Sequence, residues 1–224
     1  MIYIGKCTSC DLAGGLILAP KNKFTKDEMV SAALQIVRDG GIGRLTARAI
    51  ADRLEISTQP VFTCFATMDA VKDEVRIAAE GIFDEYSVKG LREKVPFFGY
   101  GMQYIRFAKD EPELYRLLFL SPAPGGESGA MAEMRRAQTT VRPSLMDIYE
   151  ISTADADRYF RDLWLVVHGI ATLIVTGGCP YTEKEIGQIL TGFSLSLCRS
   201  IKEIPGFADG AFDRDAEFSK LIRR

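Results

Sequence analysis

The stretch TARAIADRLEISTQPVFTCF, Thr46 to Phe65, decides how the rest of the chain is read. Thr46 is a helix-capping residue placed directly before an apolar stripe, Ala47, Ile50, Ala51 and Leu54. That spacing keeps Arg48, Asp52 and Arg53 off the buried face. Glu55-Ile56-Ser57 then reads as a tight turn. Either Ser57 or Thr58 can cap a third, very short helix, whose first turn tolerates Pro60. The second half, STQPVFTCF, holds no Lys and no Arg.

Upstream, Phe24-Thr25-Lys26-Asp27-Glu28-Met29 is a dense helix start. Thr25 caps, Glu28 completes a capping box, and Phe24 staples to Met29. Val30, Ala33, Leu34 and Val37 follow at helical spacing, and Gly40-Gly41 ends the helix. Residues 24–66 therefore read as three short helices, the last two joined by a tight turn, which is a helix-turn-helix arrangement. Short turns also join helices in ordinary bundles, so spacing alone leaves both readings open.

The remainder is helical in pattern too. Thr67 can cap a fourth helix carrying Val71, Val75, Ala78, Ile82, Phe83 and Tyr86 along one side. Residues 96–109 and 112–120 each begin at a proline, where the missing N–H does no harm. Ser121 to Gly129, SPAPGGESG, is a connection. Residues 130–150 form a further helix, which Pro143 is expected to kink. Asp155 to Thr176 is apolar and stops at Gly177-Gly178. Thr182 and Glu185 make another capping box, followed by Ile186, Ile189, Leu190, Phe193, Leu197 and Ile201 on one face. No segment alternates as a strand would. The expected fold is all-α: residues 1–20 a leader, 21–67 a helix-turn-helix unit, 68–204 a helical bundle, and 205–224 a tail.

Composition excludes several classes. The 224 residues are 47% hydrophobic and 26% charged, enough for one or two domains with a core. Mean hydropathy is +0.02 and no apolar run reaches about 18 residues, so no membrane span is expected. Cys7, Cys10, Cys64, Cys179 and Cys198 are odd in number and irregular in spacing, which argues against a disulfide scaffold and for a reduced, cytoplasmic compartment. His168 is the sole histidine, so zinc sites built on two or three His are ruled out. Cys7-x-x-Cys10 has no second pair near it. With one imidazole, no glycine-rich phosphate loop and no nucleophile elbow, no enzyme, metal or cofactor is expected.

AALQIVRDGGIGRLTARAIADRLEISTQPVFTCFATMDAV resembles the DNA-binding domain of TetR-type (TetR/AcrR) bacterial regulators, in the rhythm set by Gly41, Thr46, Ile50 and Ala51. Downstream, LWLVVHGIATLIVTGG, with Trp164, His168 and Gly169, is similar to the Trp-His-Gly signature of one C-terminal domain class in that family. YIRFAKDEPELYRLLFLSP, Tyr104 to Pro122, fits the same class. The resemblance implies an all-helical homodimer with small DNA-binding heads, larger effector-binding bodies, and release from DNA when an effector binds. It departs from the family at Phe62, Cys64 and Met68, where Tyr, His and Lys are frequent. Phe62 and Met68 cannot hydrogen-bond a phosphate, so weaker binding with a flatter salt dependence is expected.

From Lys21 to Thr67 there are seven Lys/Arg and five Asp/Glu, a net charge of +2, against −2 for the whole chain. The expected division of labour on double-stranded DNA with a palindromic operator follows. Lys21, Lys23, Arg44 and Thr46 hold phosphates, helped by the N–H groups that open the second helix, and Arg48 beside them reaches either a phosphate or a guanine edge. Thr58, Gln59 and Thr63 face base edges, where Gln pairs with adenine and a Thr methyl meets a thymine methyl. Phe62, on the same helix, belongs with this DNA-binding set or, equally, with the core.

The last two long helices are apolar on more than one side, and the surplus suits packing against a second copy. For a small apolar or amphipathic effector, Phe98, Met102, Tyr104, Phe107, Tyr115, Phe119, Met134, Trp164 and His168 are the candidate contacts, although most such residues must be ordinary core. Cys64, in the DNA-facing unit, opens an alternative reading as a thiol sensor. A ligand-binding dimer with weakened or lost DNA binding is another.

Overall fold

The computed structural model describes residues 24–121 and 128–222. Lys21, Lys23, the Cys7/Cys10 pair and most of the 121–129 connection lie outside them. Among the described residues the chain is all-α, with no strand. The order is α1 (Lys26–Gly40), a 3₁₀ turn (Ile42–Arg44), α2 (Ala47–Leu54), α3 (Gln59–Cys64), α4 (Met68–Leu91) and α5 (Pro96–Asp110). Next come α6 (Pro112–Tyr115), which runs on as a π-helical turn (Arg116–Leu120), α7 (Gly129–Tyr149), α8 (Thr153–Val175), α9 (Glu183–Glu203) and α10 (Arg214–Leu221).

Local chemistry sets most of these boundaries. Thr25 and Glu28 form the expected capping box at α1, and Gly41 ends that helix at φ 79°, a conformation that suits glycine. Thr46 Oγ1 accepts from the Ala49 N–H at 3.1 Å, and Thr67 Oγ1 from Ala70 at 3.1 Å. Thr182 and Glu185 close the box at α9, and an unanticipated one, Ser152 with Asp155, opens α8. One expectation fails locally. Thr58 occupies the N-cap of α3 with helical φ and ψ, and neither its side chain nor that of Ser57 caps the helix. α7 runs from Gly129 to Tyr149 with Pro143 inside it. The 205–224 tail contains one short helix, α10, with no buried residue.

Packing then joins the elements. In α1–α3, Met29, Val37, Ile50, Val61 and Phe65 close a small core. α4 packs on α1 and, through Phe83, Tyr86 and Gly90, on α5. The α4–α5 crossing is close because glycines face each other: a Cβ on Gly99 would sit 2.2 Å from the Gly90 carbonyl oxygen. α5 packs in turn on α8, which sits between α7 and α9. Phe83 from α4 lies edge-on to Tyr104, Phe107 and Phe119, with centroids 5.6, 5.2 and 5.1 Å away. Burying one such ring contributes about 1.5–3 kcal/mol. The buried apolar residues form one cluster from Met29 to Leu190, so the N-terminal helices and the bundle share a continuous core. Among the described residues no helix is long and apolar enough to cross a membrane.

Candidate DNA-reading surface and ligand cleft

α2 and α3 are fixed to each other by a tight left-handed turn. Glu55 adopts φ 55° and ψ 44°, and the Ile56 N–H donates to the Ala51 carbonyl at 3.0 Å. This ends α2 after two turns and sends α3 across it. Ile50, Ala51, Val61 and Phe65 point inward. Arg44, Thr46, Arg48, Thr58, Gln59, Phe62 and Thr63 are all exposed. Every described member of the DNA-facing set therefore lies on the outside of the three-helix unit.

The charges there are loosely held. Arg48 is 88% exposed and reaches Asp52 only at 3.9 Å, a pair of small energetic consequence. Arg44 lies across Gly40, close enough that a Cβ there would meet its Cδ at 2.4 Å. Arg53 is engaged, donating to Asp39 at 2.8 Å. On α3 the two readings of Phe62 separate: its neighbour Phe65 is buried, while Phe62 is 52% exposed. Thr63 donates its hydroxyl to the Gln59 carbonyl at 3.0 Å. Cys64 and Met68 are half-buried beneath this face.

The body brings most of the expected ligand contacts together as packed core. Tyr104, Phe107, Tyr115, Phe119 and Trp164 are buried against one another, and Met134 is buried on α7. His168 stacks on Trp164 with centroids 4.9 Å apart and planes 6° from parallel. Two hydroxyls converge on its Nδ1, Tyr104 at 2.9 Å and Tyr115 at 3.0 Å. A neutral imidazole nitrogen has one lone pair, so one tyrosine donates to it. Only Tyr115 also reaches the His168 carbonyl, at 3.5 Å, and Thr172 Oγ1, at 3.3 Å, which leaves Nδ1 to Tyr104. Burial holds the His168 pKa below its ordinary value, which favours this neutral, accepting form.

A second polar group is buried nearby. Tyr100 donates to Glu133 Oε1 at 2.6 Å, and Arg136 bridges Glu133 and Asp84, each at 2.8 Å. Burial pushes Glu133 up, partly offset by Tyr100 and Arg136. The Tyr100 and Tyr104 hydroxyls are pushed well up, first by burial.

Open space lies elsewhere. A cleft of about 290 Å³ runs between the C-terminal ends of α5 and α8 and the start of α9, near the lower end of small-molecule sites. Met102, Ile105, Ile174 and Ile186 give it apolar walls, and Arg106, donating to Glu183 at 2.6 Å, stands at its rim. Of the expected contacts Met102 lines this cleft, Phe119 lines a groove between α4 and α7, and Phe98 stands half-exposed beside Gly187. Ile105, Ile174 and Ile186 were not singled out in the sequence as ligand contacts. They come from three different helices, and nothing in their local pattern distinguishes them from core.

The outer sides of α8 and α9 remain apolar: Leu165, Leu173, Phe193 and Leu195 are exposed.

Residues 97–190 match the family model described as tetracyclin repressor-like, C-terminal domain. That span runs from α5 into α9 and holds both the His168 network and the cleft. Solved structures share the fold over most of both chains. A TetR family member from Streptomyces coelicolor A3 aligns with TM-score 0.55 at 19% identity, covering 75% of this chain and 96% of its own. A TetR-like transcriptional regulator from Rhodococcus sp. RHA1 aligns at 0.57 and 12%, covering 79% and 95%. A protein of unknown function from the same Rhodococcus aligns at 0.60 and 21%, covering 78% and 94%. No curated protein matches the chain. The fold is thus the one seen in TetR-type regulators: a helix-turn-helix N-terminus on a helical C-terminal domain.

Proposed function

We propose that this chain is a homodimeric, ligand-responsive DNA-binding transcriptional regulator of the TetR type, a repressor released from a palindromic operator by a small apolar or amphipathic effector. One observation carries the reading. The α2–α3 unit turns Arg44, Thr46, Arg48, Thr58, Gln59, Phe62 and Thr63 outward together, while its apolar residues close the core beneath. Residues 21–67 serve as the DNA-binding head and 68–204 as the body, with Lys21 and Lys23 extending the phosphate grip. The tetracyclin repressor-like match supports the assignment of the body, and Trp164, His168 and Gly169 support its Trp-His-Gly class.

The apolar outer faces of α8 and α9 support dimerisation, which sets two heads on half-sites about one DNA turn or a multiple apart. The effector seat is the cleft beside Met102, whose apolar walls, Ile105, Ile174 and Ile186, come from three helices. Asp110 lines that cleft, and the next residue, Glu111, is bonded to α1, so an occupant there has a short route to the head.

The test is a titration of the purified protein against its own upstream intergenic DNA and a scrambled duplex at several salt concentrations. The reading requires tighter binding to the native sequence, and equal affinity for both defeats it. A second reading, a dimeric small-molecule sensor that has lost DNA binding, is favoured by the apolar Phe62 and the absence of any cation on α3. Binding to neither duplex supports that alternative.

A further inference from the structure

We propose that α3 reads A·T base pairs, with Gln59 on an adenine edge and the Phe62 ring on the C5-methyl of a thymine. This rests on the DNA-binding reading above and names the sequence class its surface accepts.

The argument begins from what α3 can offer a groove. Gln59, Phe62 and Thr63 stand at i, i+3 and i+4, so they share one helical face, and all three are exposed. That face has no ionic group, and guanine is most often recognised by bidentate Arg or Lys. Thr63 spends its hydroxyl hydrogen on the Gln59 carbonyl at 3.0 Å, leaving a methyl and an acceptor outward. Gln59 is then the one side chain of the three that both donates and accepts freely, the pattern that matches adenine N6 and N7. Phe62 has no hydrogen-bonding group. An exposed ring on a reading face is matched by the one apolar feature in the major groove, the thymine methyl. A G·C pair against this ring would instead lose water from its polar edge without compensation.

The experiment uses the full chain. A random duplex library is taken through repeated selection, and the enriched sequence is resynthesised with each thymine replaced singly by deoxyuracil, which removes only the C5-methyl. Affinities are measured for the wild type, Phe62→Ala and Phe62→Leu. The expected result is an A·T-rich half-site in which one uracil substitution weakens wild-type binding about fourfold, the value of one buried methyl group. The same uracil should change Phe62→Ala binding by less than about 1.5-fold, with Phe62→Leu between the two. Circular dichroism confirms that the variants fold, as expected for a half-exposed position. Half-sites of G·C pairs, uracil tolerated at every position, or equal uracil sensitivity in Phe62→Ala would each overturn the inference while leaving DNA binding intact. Failure to enrich any sequence would overturn the DNA-binding reading, and the inference with it.

Discussion

Arg38 on α1 grips Glu111, at the junction of α5 and α6, with two hydrogen bonds: Nε to Oε2 at 2.8 Å and Nη2 to Oε1 at 2.6 Å. Both side chains are largely shielded from solvent. Beside them, the end of α1 abuts Glu113, whose Oε2 would be 2.8 Å from a Cβ on Gly41. Glu113 also accepts from Arg116, which donates onward to the carbonyl of Val175 at the end of α8. α1 is thus tied to the bundle by directional bonds as well as by apolar packing.

A double-mutant cycle of Arg38→Ala and Glu111→Ala should therefore give a coupling energy of about 1–2 kcal/mol by chemical denaturation, between the values for exposed and buried pairs. Either single variant should also speed amide exchange in α1. A coupling below about 0.3 kcal/mol would show that the pair does not fasten α1 to the bundle.

Gly99→Ala should destabilise the fold strongly. Its Cβ would lie 2.2 Å from the Gly90 carbonyl oxygen, and neither backbone can yield without separating α4 from α5. A loss of about 2–3 kcal/mol is expected in urea denaturation. Gly81→Ala, on helix α4 with open space around it, should be neutral or mildly stabilising.

Arg48→Ala should weaken operator binding and reduce the slope of log affinity against log salt by about 0.9 for each phosphate that the guanidinium neutralises. At 88% exposure, paired only loosely with Asp52, the residue has little to do in the free protein. Thermal stability should stay within about 0.5 kcal/mol of wild type. An unchanged slope would place the phosphate grip elsewhere.

His168 gives stability a pH dependence of definite sign. Burial lowers its folded pKa, so below the ordinary value of 6.5 the unfolded chain takes up a proton that the folded chain refuses. The contribution is intact above that value and is lost as pH falls toward the folded pKa. Glu133, shifted up by burial, acts oppositely, losing stability as pH rises through its folded pKa. The informative quantity is therefore the difference between wild type and His168→Asn, which keeps an acceptor near Nδ1. Between about pH 7 and pH 5, measured by thermal melting, the wild type should lose more stability than the variant. Parallel curves would show that His168 does not titrate in this way.

Phe193→Glu should convert a dimer to monomer in sedimentation at micromolar concentration, without unfolding the subunit. Phe193 is 53% exposed in the isolated chain and forms part of the groove between α8 and α9. An unchanged dimer would move the interface away from these helices.

The helices were legible in the sequence because their ends are chemical. Thr25 with Glu28, Thr46, Thr67, and Thr182 with Glu185 all act locally, within three residues, and each forms its hydrogen bond. The turn after Leu54 was legible as a turn, although its left-handed residue is Glu55, where glycine would be the usual signal. What escaped is non-local. Nothing in the spacing of Gly90 and Gly99 says that they meet, and Tyr100 and Glu133 are 33 residues apart. The aromatic residues of α5, α6 and α8 were correctly seen as apolar. A hydrophobic side chain looks the same in sequence whether it faces another ring, as Tyr104 faces Trp164, or an opening, as Met102 does.

The close α4–α5 crossing has a mechanical corollary. α4 has 24 residues, and at 1.5 Å per residue that is a rod of about 36 Å, held against α5 near Gly90 and packed on α1 toward its other end, where Lys26 pairs with Glu74. A tilt of about 5° at the glycine contact would swing the Met68 end of such a rod through about 3 Å, comparable to the rise of one base pair along DNA. In the dimer proposed above, a small angular change at one end of α4 would thus decide, at the other, whether two heads stand in register with a double helix or out of step.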